Sequence, residues 1–194
     1  ETDFVIRAIA DRKSYSLNPK NEYWDIPLIE SRMIDDRYED RVVARPPDQS
    51  LMTRTLTEKS VNYIETKAES QEPFFLYLAY TMPHVPIFAS SNFDGASLGG
   101  RYGDVIEEIG WSVGEIRHAL EEQGLAENSL IFFSSDNGPW TTMDQHSGSA
   151  GPLRHGKQTT FEGGMRVPGI FWGPGIVAPQ VVHGIGTVMD IYPT

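Results

Sequence analysis

Apolar positions along the chain change period several times, and each change predicts an element. Met52, Leu56, Tyr63, Ile64 and Ala68 recur at helical spacing, so residues 51–68 predict a helix, with Pro46-Pro47-Asp48 as the stop before it. The run Pro73-Phe74-Phe75-Leu76-Tyr77-Leu78-Ala79-Tyr80 is short, aromatic and bounded by proline, which predicts a strand buried on both faces. Tyr102, Val105, Ile106, Ile109, Val113, Ile116 and Leu120 form a second helical stripe, and Gly124 stands where a C-terminal cap belongs. Leu130 to Ser135 predicts another buried strand. Arg166 to Trp172 predicts a third, and its Pro168 places that strand at an edge or at a strand start. Residues 139–160, rich in Gly, Ser, Thr and Pro, read as a long loop of the kind usually kept for function.

Strand, helix and strand in this order predict a βαβ unit, with the first two strands as parallel neighbours and helices on the sheet faces. The first 50 residues carry the least pattern. Trp24 to Ile29 reads as a short strand, and the mixed charges of Asp35 to Arg41 as a solvated loop.

Composition narrows the function. The chain has 194 residues and a formal net charge of −11, which argues against a nucleic-acid partner. No apolar run approaches the roughly 20 residues of a transmembrane helix. Cysteine is absent, so disulfides, thiolate zinc sites, iron–sulfur clusters and a cysteine nucleophile are excluded within these residues.

Ligands of such sheets bind beyond the C-terminal ends of the strands. Two polar clusters fall there: Thr81-Met82-Pro83-His84-Val85-Pro86 and Asp136-Asn137-Gly138-Pro139. His84, between two prolines, can exchange a proton with a substrate oxygen, or be satisfied by a loop carbonyl. Asp136 and Asn137 offer adjacent oxygen ligands for a hard cation, or form a turn. Lys157 lies in a glycine-rich loop and suits an oxyanion, or is a surface lysine. Gly151 to Lys157 also spells the front of a phosphate-binding loop. Gln158 stands where that motif needs Ser or Thr, and no buried strand leads into Gly151.

Read together, these segments resemble the sulfatase family, and within it the arylsulfatase A and N-acetylgalactosamine-6-sulfatase group. Phe74 to Tyr80 followed by Pro83-His84-Val85-Pro86 is similar to the family's histidine segment. Tyr102-Gly103-Asp104-Val105-Ile106-Glu107-Glu108 resembles the helix that follows it. Ser134 to Pro139 and Gly156 to Arg166 resemble the metal-ligand and lysine segments. The likeness covers roughly residues 50–194.

The resemblance implies an α/β, alkaline-phosphatase-like three-layer α/β/α sandwich with a mostly parallel central sheet. It also implies hydrolysis of sulfate monoesters by a formylglycine nucleophile, assisted by Ca²⁺ (Mg²⁺ second) and by basic side chains. By position, Asp136 and Asn137 match metal ligands, and His84 and Lys157 match catalytic residues at the sulfate. A sulfated small molecule or glycan is the implied substrate, a formylglycine-generating enzyme the implied partner, and a lysosomal, secreted or periplasmic site the implied location. The Cys-x-Pro-x-Arg motif, its serine form and the paired aspartates of the family have no counterpart here. The chain is therefore expected to be an internal fragment, inactive alone, with residues 1–50 as a connecting region and 51–194 as the central part of the catalytic domain. A phosphodiesterase or phosphonate hydrolase of the same superfamily, or a non-catalytic binder of sulfated glycans, is the alternative.

Overall fold

The computed structural model describes residues 25–193. Trp24, the expected start of the first strand, lies outside them. Strand β1, Leu28–Ile34, pairs antiparallel with β2, Arg37–Ala44. Asp35 and Asp36 join them in a two-residue turn with φ of 49° and 60°, the left-handed backbone that short hairpins need and Asp tolerates. The expected loop over 35–41 is thus largely strand. Its solvation was read correctly, because almost every hairpin residue is exposed. Sequence pattern missed it because the hairpin is pinned by cross-strand polar pairs. Arg41 donates to Glu30 at 2.8 Å and Ser31 donates to Asp40 at 2.6 Å.

Both predicted helices form. A 3₁₀ turn, Gln49–Leu51, leads into α1, Met52–Ser70, and the Asp48 carboxylate accepts the Ser50 N–H at 2.9 Å. Helix α2 spans Gly100–Glu122, and Gly124 beyond it has φ of 68°. Thr57 of α1 and Ser112 of α2 share a buried hydroxyl hydrogen bond of 2.5 Å, and the Tyr80 hydroxyl joins Ser112 at 2.7 Å. These hydroxyls satisfy one another where the two helices meet.

The core has two parts strung along α2. Ile116, Ala119 and Leu120 pack with Ile64 of α1, and with Phe74, Leu78, Ile131 and Trp172. Val105 and Ile109 pack with Met82, Val85, Ile87, Ala89, Trp140 and Met143, and with Tyr80 and Phe133. Phe74-to-Tyr80 and Ile131-to-Phe133 therefore run the same way, from the first cluster to the second. Two expectations fail nonetheless. Residues 73–80 are extended but form no assigned strand, and they are not buried on both faces. Even-numbered positions turn inward while Phe75 and Tyr77 are about four-fifths exposed. Nor is the parallel pair present among the described residues. Strand β3, Ile131–Ser134, pairs instead with β4, Gly169–Trp172, and does so antiparallel. Pro168 stands just before β4, where a residue without an N–H costs no ladder bond. The loop over 139–160 is not structureless, since 3₁₀ turns occupy Thr141–His146. A four-residue helix α3, Glu162–Met165, follows it.

Candidate active site

Because both extended segments end at the second core cluster, the clusters that follow them emerge together. Met82 and Val85 are buried on either side of exposed His84. The imidazole is oriented by its own loop, where Nδ1–H donates to the Val85 carbonyl at 2.7 Å. That bond leaves Nε2 as the ring nitrogen available for chemistry. The carbonyl-satisfied histidine and the functional one are therefore the same residue seen from its two nitrogens.

Asp136 and Asn137 occupy the turn after β3. Ser135 Oγ donates to the Asn137 carbonyl at 3.0 Å, and Ser134 Oγ to the Pro168 carbonyl at 2.9 Å. Asp136 is exposed and Asn137 half-buried. The next residues fasten this turn to the lysine loop through main chain. Gly138 N–H donates to the Gly164 carbonyl at 3.0 Å, and Lys157 N–H to the Pro139 carbonyl at 2.8 Å. These approaches require glycine. A Cβ on Gly138 would strike the Gly163 carbonyl, one on Gly156 the Pro139 carbonyl, and one on Gly163 the carbonyls of Arg154 and His155. Four glycines, 138, 156, 163 and 164, thus let three backbone segments pack at contact distance.

Lys157 is half-buried and forms no ion pair among the described residues. Its Nζ lies 5.4 Å from the centroid of the Trp140 ring, within cation–π range. The His84 ring lies 5.9 Å from Trp140, tilted by 48°. Trp140 itself is only 9% exposed. The structure therefore brings His84 and Lys157 to one indole, and the Asp136-Asn137 turn to the same lysine loop by two main-chain bonds. It shows no side-chain contact between Asp136 or Asn137 and either basic residue among the described residues.

Sequence pattern does not single out His146, and it reads Arg154, His155 and Phe161 only as parts of the lysine loop. His146 is buried, and its Nδ1 has no hydrogen-bond partner. Burial, and then the Arg101 charge, push this imidazole below its ordinary value. Phe161 lies under the Arg154 guanidinium, 3.8 Å away, and is stacked with His155 at 4.8 Å. The residue types carried no period that would have joined either group to the site. On α2, burial alone would raise the Asp104 carboxyl. N–H groups of Ser97, Gly95 and Ala96 and the Arg101 charge outweigh it and hold Asp104 below the usual carboxylate range.

The sequence profile of the sulfatase family matches residues 2–194. The chain belongs to the sulfatase family. It is 44% identical over 164 residues to N-acetylgalactosamine-6-sulfatase of Mus musculus, covering 84% of this chain and 32% of the relative. It is 43% identical over 130 residues to arylsulfatase A of Bos taurus, covering 66% of this chain and 26% of the relative. Among solved structures, a sulfatase from Pseudoalteromonas sp. superimposes with a TM-score of 0.73 at 29% identity, over 91% of this chain and 34% of that one. This sulfatase chain spans about a third of the length of such relatives.

The implied cation can be tested on the donors present. Asp136 and Asn137 are hard oxygen donors on one turn, and the Asp136 carboxylate makes no hydrogen bond or ion pair among the described residues. Calcium takes six to eight such oxygens. No group of three or more His, Asp or Glu side chains gathers as a metal site among the described residues. The pair suits a hard cation in donor type, but two oxygens on one turn fall well short of a coordination shell.

Proposed function

We propose that the protein carrying this chain hydrolyses sulfate monoesters, and that this segment supplies its sulfate-facing half-site. The observation behind the reading is the meeting of His84 and Lys157 at Trp140, beside the Asp136-Asn137 turn. Lys157 places a cation where negative charge gathers on the sulfate, the electrostatic contribution that dominates such transfers. His84, with Nδ1–H committed to the Val85 carbonyl, would in its imidazolium form present Nε2–H to the bridging oxygen and pass that proton to the departing alcohol, leaving the neutral ring. Asp136 and Asn137 would hold Ca²⁺, which when bound neutralises sulfate oxygens as a Lewis acid. The nucleophile is a formylglycine outside these residues, made by a formylglycine-generating enzyme, since the chain has no cysteine.

The three-layer sandwich with a mostly parallel sheet belongs to this reading too, with residues 51–194 as its central part. The relatives' names, N-acetylgalactosamine-6-sulfatase among them, support a sulfated sugar as substrate, and a lysosomal, secreted or periplasmic location belongs to the same reading through the family resemblance alone. No described helix is long and apolar enough to cross a membrane.

The test is turnover by the full-length protein of an aryl sulfate and of a 6-sulfated amino sugar, beside the matching phosphate diester. Sulfate turnover that Lys157→Ala lowers about 10²- to 10³-fold is expected, the loss typical of one oxyanion donor. Phosphate-diester turnover without sulfate turnover gives the reading to a phosphodiesterase. Binding of sulfated glycan with no turnover of either gives it to a non-catalytic protein.

A further inference from the structure

We propose that Trp140 is a positioning residue that sets the His84 imidazole and the Lys157 ammonium at a fixed separation by contacting both. The roles of those two groups rest on the sulfatase reading, whereas the contacts themselves do not. The indole belongs to the core, packed with Met82, Val85 and Met143 and only 9% exposed. Its ring nevertheless meets the two basic side chains, His84 at 5.9 Å and Lys157 Nζ at 5.4 Å. Its backbone is equally constrained. The Met143 N–H donates to the Trp140 carbonyl at 2.9 Å, and the preceding carbonyl, of Pro139, accepts the Lys157 N–H. Gly156 closes against Pro139 and Thr141 with no room for a Cβ.

The physical case is one of entropy and polarity. A lysine on a flexible four-carbon stem has many rotamers, and an ion pair would fix it but would also neutralise it. The face of an aromatic ring attracts the ammonium without supplying a counter-charge, so the cation stays available to an incoming anion. The same ring limits the imidazole by tilted aromatic contact. Because a buried indole cannot move without disturbing the core, it ties the spacing of two loop residues to the rigid part of the fold.

In the full-length protein, the ring proton on His84 Cε1 should carry a ring-current shift from Trp140, assigned by its loss in His84→Asn. Trp140→Phe should retain much of that shift and keep kcat within about threefold. Trp140→Leu should abolish the shift and lower kcat about 30-fold, with KM changed by less than about threefold, as for a residue acting in the transition state alone. In a Lys157→Ala background the same Trp140→Leu change should cost clearly less, about fivefold, because only the His84 contact is then left to lose. Trp140→Met, apolar and ringless, replaces the leucine variant if that variant does not fold. Equal losses in both backgrounds, an unmoved His84 signal, or a phenylalanine variant as impaired as the leucine one would each overturn the proposal. Absence of sulfate turnover by the unmodified protein would instead overturn the sulfatase reading, leaving the ring-current shift to decide whether the indole holds the histidine.

Discussion

The hairpin of β1 and β2 and the glycine-rich stretch of residues 136–165 both carry polar side chains outside the core, yet they are held in opposite ways. In the hairpin, Glu30 receives Lys59 at 2.9 Å, Arg41 at 2.8 Å and Arg32 at 3.4 Å. Its order is written in side chains at the water's edge, where charges are screened and individual pairs contribute little. In the 136–165 stretch, main chain binds main chain, and among the described residues the side chains of Asp136 and Lys157 have no partner of opposite charge. A site for an anion and a cation needs that second arrangement, since a lysine already paired with a carboxylate has less to offer a sulfate.

The largest effect that would break this contrast comes from glycine. Gly163→Ala pushes a Cβ into the Arg154 and His155 carbonyls, and backbone cannot yield as a flexible side chain can. Destabilisation of about 1–3 kcal/mol is expected, in the range of overpacked cores. It is measured by urea unfolding of the full-length protein, together with loss of activity in the fraction still folded. Stability and activity unchanged from the parent would mean that the loops are looser than their contacts indicate.

A smaller effect concerns His146. Its folded-state value lies below the ordinary 6.5, so the unfolded chain takes up the proton more readily. Stability from this group is therefore complete above about pH 6.5 and falls as pH drops below it. His146→Gln should flatten the decline in unfolding free energy between pH 7 and 5. An unchanged slope would assign that decline to other groups.

The smallest effect is in the hairpin. Hydrogen bonds from Lys59, then from Arg32 and Arg41, lower the Glu30 carboxyl to about 2 from an ordinary 4.5. Its stabilisation is present above about pH 4.5 and lost as pH falls toward 2. Glu30→Gln should leave global stability and turnover near the parent while loosening the hairpin, seen as faster amide exchange over residues 28–44. Protection equal to the parent would show that the ladder alone holds the hairpin.

Much of this was legible beforehand, and unevenly. The helices followed from their stripes, to within two residues at each end of α1, because a 3.6-residue period survives any tertiary context. Even there, Ile106 lies on the stripe and is 43% exposed. The segment 73–80 was misjudged because a run apolar at every position cannot say which face will be covered. The hairpin escaped notice because charges alternate across its register and not along its sequence. At the site, His84, Asp136, Asn137 and Lys157 could be named from motif words, but Trp140 and His146 belonged to no word.

The sequence by itself determined the two helices, the absence of any thiol chemistry within these residues, and the polar words that place the chain among sulfatases, since local period, composition and short motifs need no partner to be read. Only the tertiary structure decided that β3 pairs antiparallel with β4, that four glycines clamp the lysine loop to the Asp136 turn, and that one buried indole meets both His84 and Lys157. Those facts depend on which surfaces come within a few ångströms although their residues stand 17 to 56 positions apart in the chain, and no local pattern encodes a distance of that kind.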